Sequence, residues 1–239
     1  MIVIVSPCLS GNSRATTAFK GVFITPYAVL FIDSSNFYHS LKEQNELPFD
    51  AEEFFDLVQE LKKYFDVKEI KFYDAIKDRT IDPAGYAGQQ RFHSRLMEKI
   101  HDIEIRHLKL RYVLTISKEK TSEIAKEVGL PNELLDKLYL FLKKLGVVKL
   151  SREKGLDVLM VVDALETFKK DKNMSLIFLT GDSDFVPAVK FIREEDGKVI
   201  NLHMFSGSSR ELRKACSEHM LIEIDTSGKV SIKRYKTLS

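Results

Sequence analysis

Residues 27–33, YAVLFID, form an unbroken apolar run of β-forming residues that ends in an aspartate. A run with no polar position on either face predicts a parallel strand covered on both sides. Similar runs follow at VKEIKFYDA (67–75), DIEIRHLKL (102–110), MSLIFLTGD (174–182), GKVINLHMF (197–205) and HMLIEID (219–225). Between them the apolar positions change to a helical period, over 48–65, 83–100, 155–171 and 184–196. Alternation of strand and helix predicts an α/β fold, a doubly wound three-layer parallel sheet with helices on both faces and right-handed crossovers.

Three stretches stand outside that alternation. Residues 1–26 join a short apolar start to the small polar run SGNSRATT and read as an N-terminal extension. Residues 226–239 read as a basic C-terminal tail after a domain spanning 28–225. Between the strands, 118–150 reads as an inserted helical hairpin: Ser122 caps a short helix that Gly129 closes, and Leu134, Leu135, Leu138, Tyr139, Leu142 and Leu145 stripe a second. Its SEIAKEVGL phrase resembles the helix-turn-helix of winged-helix domains but is shorter than a complete one. A structural cover or an oligomer contact is the expected role, with nucleic-acid recognition the rival one.

Composition narrows the picture without identifying a partner. The 239 residues are enough for one large or two small domains, and 37 basic against 35 acidic residues leave a net charge of only +2, so any nucleic-acid footprint must be local. Cys8 and Cys216 are isolated, which indicates neither a disulfide framework nor a thiolate metal site and makes a reducing, cytoplasmic setting the expectation. The apolar opening falls well short of the ~20 residues a membrane span needs and has no basic flank, so no membrane partner or export signal is read.

Ligands of an open parallel sheet lie beyond the carboxyl ends of its strands. Two acidic motifs fall there. In FIDSSNF, Asp33 ends a strand and Asn36 sits in the turn into the next helix; in LTGDSDF, Gly181 allows a tight exit, Asp182 ends the strand and Asp184 caps the following helix, which has Pro187 in its first turn. Asp157, near the start of an otherwise apolar helix, can point over the same rim, whereas Asp163 lies six positions further round and reads equally well as structural. Taken singly, each aspartate is an ordinary cap. Taken together, they would repel unless a hard divalent cation joined them, and Mg²⁺ or Mn²⁺ prefers such carboxylate oxygens.

The set FIDSSNF, EKGLDVLMVVDALE, LIFLTGDSDFVPAVKFIREEDGKVI and SSRELRKACSEHMLIEI, in this order over about residues 28–225, resembles the NYN domain family, the LabA-like branch of the PIN-like nucleases. The resemblance implies a PIN-like (Rossmannoid) sheet, dependence on Mg²⁺ or Mn²⁺, and single-stranded or structured RNA as the substrate. Carried over, Asp33, Asp157, Asp182 and Asp184 correspond to the metal-site acids and Asn36 to the strand-end asparagine. Asp33 and Asp182 would hold the metal, with Asp157 and Asp184 completing the shell or orienting a water, and Asn36 would fix a carboxylate or contact a phosphate oxygen. In-line hydrolysis would then leave a 5′-phosphate and a 3′-hydroxyl. The insertion at 118–150 and the leading 26 residues depart from the family pattern.

Substrate would meet local basic groups: Arg91 and Arg95 four apart on one helix, Arg210, Arg213 and Lys214 after the small-residue loop ending in Ser209, and Arg106, Lys109 and Arg111 on a strand end. Tyr38 could stack a base beside Asn36, while Phe37 reads as core. No GxxxxGK[ST], GxGxxG, HExxH or GxSxG motif is present, and no second aspartate stands two residues after Asp33 as in phosphatases with a DxD nucleophile. The expected function is a divalent-metal-dependent endoribonuclease, with DNA not excluded as substrate and a homo-oligomer possible; the alternative is a non-catalytic RNA-binding or assembly module on the same fold.

Overall fold

The computed structural model describes residues 26–45, 50–114, 118–145, 149–152, 155–225 and 227–236. The expected N-terminal extension, with Cys8, lies almost wholly outside them. β1 (Tyr27–Asp33) sits between β2 (Asp66–Ile76) and β6 (Ser175–Leu179), parallel to both, with β3 (Ile103–Lys109), β7 (Lys198–His203), β8 (Glu218–Ile224) and β9 (Val230–Lys236) completing a seven-stranded sheet in the order β3-β2-β1-β6-β7-β8-β9. All pairs are parallel except β8 with β9. The expected α/β class with a central parallel sheet is what the chain forms.

Burial on both faces explains the unbroken apolar runs. Ala28, Leu30 and Ile32 of β1 face one core with α1 (Ser34–Asn45), α2 (Ala51–Lys62) and α3 (Pro83–Lys99), whereas Val29 and Phe31 face a second core with α6 (Leu156–Lys170), α7 (Val186–Glu194) and α8 (Arg210–Ala215). Phe31 stacks on Phe178 of the neighbouring strand at 5.3 Å. Among the described residues no helix is long and apolar enough to cross a membrane.

Two expectations about the flanking regions need correction. Residues 230–236, taken as a tail, pair with β8 from Ile224↔Val230 to Glu218↔Lys236, with Val230 and Ile232 buried. The charged residues are those an edge strand carries on its open side. The insertion contains the expected helix pair, α4 (Lys118–Glu127) and α5 (Leu135–Leu145), and is flanked by a two-stranded antiparallel ribbon, β4 (Arg111–Leu114) with β5 (Lys149–Arg152), that begins before residue 118. α4 starts before Ser122, so that residue lies within the helix, while Gly129 closes it at φ 66 as expected.

Candidate nuclease site at the carboxyl rim

From β1 the chain proceeds to β2 and β3 on one side, and β6 leads to β7 and β8 on the other, so the switch point lies between β1 and β6. Asp33 is the last residue of β1 and caps α1: its Oδ1 accepts the Asn36 N–H at 3.0 Å. Its Oδ2 accepts the Thr180 hydroxyl at 2.9 Å, and the same hydroxyl accepts the Asp182 N–H at 3.2 Å. The Asn36 side-chain oxygen accepts the Gly181 N–H at 2.7 Å. Thr180 and Asn36 thus tie the two acidic motifs together.

Sequence reasoning needs correction at three points here. The helix cap in GDSDF is Asp182, whose Oδ1 accepts the Asp184 N–H at 2.9 Å, and Asp184 lies inside a 3₁₀ turn (Ser183–Phe185). Gly181 is required by close approach: a β-carbon there would sit 1.9 Å from the Gly207 carbonyl oxygen. Asn36, expected to hold a carboxylate or phosphate with its side chain, spends its side-chain oxygen on backbone instead.

Electrostatics shows which acids face one another. Asp33 is 8% exposed. Burial raises its pKa above 3.8, the Asn36 and Thr180 hydrogen bonds oppose the rise, and the charges of Asp157 and Asp182 add to it. Asp157, exposed in the first turn of α6 behind Gly155 (φ 94), also has its pKa raised, first by desolvation and then by Asp182 and Asp184. The four carboxylates therefore share one field, and among the described residues none is ion-paired. However, among those residues no group of three or more Asp, Glu, His or Cys side chains is gathered tightly enough to hold an ion by itself. The carboxylates expected to converge on one cation therefore do not enclose a site by themselves; Asp33 and Asp182 are turned into local hydrogen bonds. Hard oxygen donors in mutual repulsion fit a Mg²⁺ or Mn²⁺ ion that retains much of its water, since Mg²⁺ commonly takes only one or two carboxylates.

The expected substrate contacts divide. Arg210 and Lys214 are exposed on α8, next to the rim. Arg213 turns inward, donating to the Ser208 carbonyl at 2.9 Å and to the Ser208 hydroxyl, and the Ser209 hydroxyl caps α8 by accepting the Leu212 N–H at 3.2 Å. Those two residues build the loop. Arg91 and Arg95 lie two and three turns down α3, roughly 12 and 18 Å along its axis from Pro83, and Arg95 is ion-paired with Asp50. Arg106 is held by Asp163 and Glu104. Tyr38 is 54% exposed, with the Lys42 ammonium 4.6 Å from its ring centroid, while Phe37 is core as expected.

One cluster escaped the sequence reading. Asp74, one residue past Tyr73 of the Asp33↔Tyr73 register, accepts the Ser34 hydroxyl on Oδ1 at 2.9 Å, and on Oδ2 the Gln89 amide and His93 Nε2, each at 2.7 Å. Ser34 begins α1 directly after Asp33, so Asp74 fixes the turn that presents Asp33. The available signal was another aspartate near a strand end, with Gln89 and His93 four apart on one helix face.

Comparison with known proteins agrees with this architecture. No curated protein matches the sequence. The fold resembles the crystal structure of a protein of unknown function from Vibrio parahaemolyticus, with TM-score 0.53 and 19% identity over 83% of this chain and 94% of that one. The sequence matches the NYN domain profile over residues 27–223. With that match spanning most of its length, the chain belongs to the NYN domain family, a branch of the PIN-like nuclease superfamily.

Proposed function

We propose that this chain is a divalent-metal-dependent nuclease whose substrate is RNA, cleaved internally at phosphodiester bonds. The observation that carries the reading is Asp33: a buried carboxylate at the switch point, hydrogen-bonded only to neutral groups and facing the charges of Asp157 and Asp182. Asp33 and Asp182 would hold Mg²⁺ or Mn²⁺, with Asp157 and Asp184 at the solvent side of the same field. When bound, the ion supplies Lewis acidity for hydrolytic attack on a phosphate and offsets the charge that develops there. The chain's own contribution is positional. Thr180 and Asn36 hold the two acidic loops at one spacing, Asp157 and Asp184 would orient a water and accept its proton, and Arg210 and Lys214 would offer charge to the flanking phosphates.

The test is cleavage of mixed-sequence single-stranded RNA in Mn²⁺ by the native chain and by Asp182→Asn, with DNA of the same sequence in parallel. Asparagine keeps the capping oxygen for the Asp184 N–H and removes the charge. Loss of at least about a hundredfold in rate is expected, on the scale of losing one transition-state charge contact. Equal products from both proteins would end the nuclease reading. RNA binding that persists in EDTA, with no products in Mn²⁺, would favour a binding module.

A further inference from the structure

Phe205 is 84% exposed, in the loop that follows β7. The loop's placement is fixed on both sides. The Ser206 hydroxyl donates to the Glu43 carboxylate of α1, Gly207 packs on Ser40 and Gly181, and the Ser209 N–H donates to the Gly181 carbonyl at 2.9 Å. Ser206 also borders a small cavity together with Asn36, Thr180 and Gly181. The aromatic ring is therefore attached, through one residue, to the wall of the acid site.

On its other side Phe205 lines a cleft of ≈540 Å³ formed by the end of β8 and the turn into β9. β8 extends beyond its last pairing with β7, His203↔Leu221, so its final residues rise on the same rim as Asp33 and Asp182. Leu221 and Ile224 supply apolar wall, and Lys229 and Ser231 stand at the polar side. The acids present are engaged locally: Glu223 pairs with Lys233 at 2.8 Å, and Asp225 accepts the backbone N–H groups of Ser227 and Lys229. Adjacent strands are about 4.8 Å apart, which puts β8 about 14 Å from β1 along the rim.

We infer that Phe205 and this cleft form a stacking subsite for an unpaired base of the nucleic-acid strand engaged at the acid rim. An exposed ring on a pinned loop can stack on any base at small ordering cost, and Lys229 in the cleft, with the exposed Arg210 and Lys214 on the helix that follows the loop, suits the phosphates that flank it. A base in a duplex already has its faces covered, so the subsite selects single strands or unpaired loops. The inference rests on reading the rim as a nucleic-acid site, but the stacking itself needs no metal.

The chain contains no tryptophan, so Phe205→Trp places one indole reporter at the subsite. In EDTA, a single-stranded 12-nucleotide RNA is expected to quench the indole, whereas a duplex of that sequence and an abasic strand of equal charge bind without comparable quenching. Phe205→Ala is expected to lose about tenfold or more in affinity for the single strand, measured by anisotropy, with the salt dependence unchanged. Strand binding with no quench and no loss in Phe205→Ala overturns the subsite and leaves the nuclease reading standing. Quenching by single strands without cleavage in Mn²⁺ does the reverse. Quenching that grows with protein concentration alone would assign the cleft to a second copy of the chain and overturn the inference, as would the absence of binding to any of the three nucleic acids.

Discussion

Asp163 and Asp33 are buried carboxylates that meet the same stretch of sheet from different positions, with opposite surroundings. Asp163, on α6, accepts Arg106 Nε at 3.0 Å and Nη2 at 2.9 Å, and the Tyr73 hydroxyl at 2.7 Å. Tyr73 is the register partner of Asp33 across β1 and β2. Asp33 itself receives only a hydroxyl and a backbone N–H, and its charged neighbours are two more acids. A buried carboxylate with a bidentate cation is a finished structural unit. One that faces like charge holds a strained state at a ligand-accessible rim, and strain of that kind marks functional sites. The difference explains why two aspartates six positions apart on α6, Asp157 and Asp163, belong to different parts of the molecule.

Exchanging the two acids breaks the comparison most sharply. Asp33→Asn keeps an acceptor for the Asn36 N–H, so the protein should remain folded with a Tm at least equal to the parent, while RNA cleavage falls by at least about a hundredfold. Asp163→Ala should do the opposite. It leaves the buried Tyr73 hydroxyl without its acceptor and half-buried Arg106 with Glu104 as its remaining partner, at a cost of about 2–3 kcal/mol, while the rate per folded molecule changes only a few-fold. Denaturant melts and single-turnover rates on both variants decide this. Comparable losses of rate in the two would show that Asp163 also belongs to the site.

A smaller effect sharpens the contrast through pH. The folded pKa of Asp33 lies above its ordinary 3.8, so the folded chain holds that proton more tightly than the unfolded one. Its contribution to stability is full below 3.8 and is lost as the pH rises through the raised value; Asp157 acts in the same direction. In EDTA, the parent Tm should therefore fall relative to that of Asp33→Asn as pH rises through this window. Mn²⁺ affinity should rise over the same range, because the ion competes with the protons. Parallel Tm curves for parent and variant would remove Asp33 as the strained member.

Much of this was legible from the sequence because it is local. Unbroken apolar runs announced the strands, and the strand-end rule led to Asp33 and Asp182 without any knowledge of the pairing. What escaped depends on partners far along the chain. The cation for Asp163 is Arg106, 57 residues away, and the reason for Gly181 is the Gly207 carbonyl. β9 was missed because its exposed Lys233 and Arg234 outweighed the alternation of buried Val230 and Ile232. The α4–α5 pair was visible in its leucine spacing, but the β4–β5 ribbon that closes it has only four residues in each strand, too few to carry a period.

The smallest effect concerns how Asp33 is presented. Ser34 links Asp33 to a third aspartate: its hydroxyl donates to Asp74, which His93, only 4% exposed, and Gln89 anchor from α3. Ser34→Ala removes one hydrogen bond at the first residue of α1 and touches none of the four rim acids. The helix keeps its cap, because Asp33 still accepts the Asn36 N–H, so stability should fall by no more than about 1 kcal/mol. A loosened first turn, however, widens the range of Asp33 orientations. Cleavage kinetics should show kcat lower by a few-fold with KM nearly unchanged, since the phosphate contacts proposed for Arg210 and Lys214 do not involve Ser34. Asp74→Asn, which retains one oxygen acceptor but weakens its bonds to Gln89 and His93, should resemble Ser34→Ala in kcat and lose more stability. A rise in KM with kcat unchanged in Ser34→Ala would mean that this serine contacts substrate instead, and the Asp74 cluster would then lose its role in setting the rim.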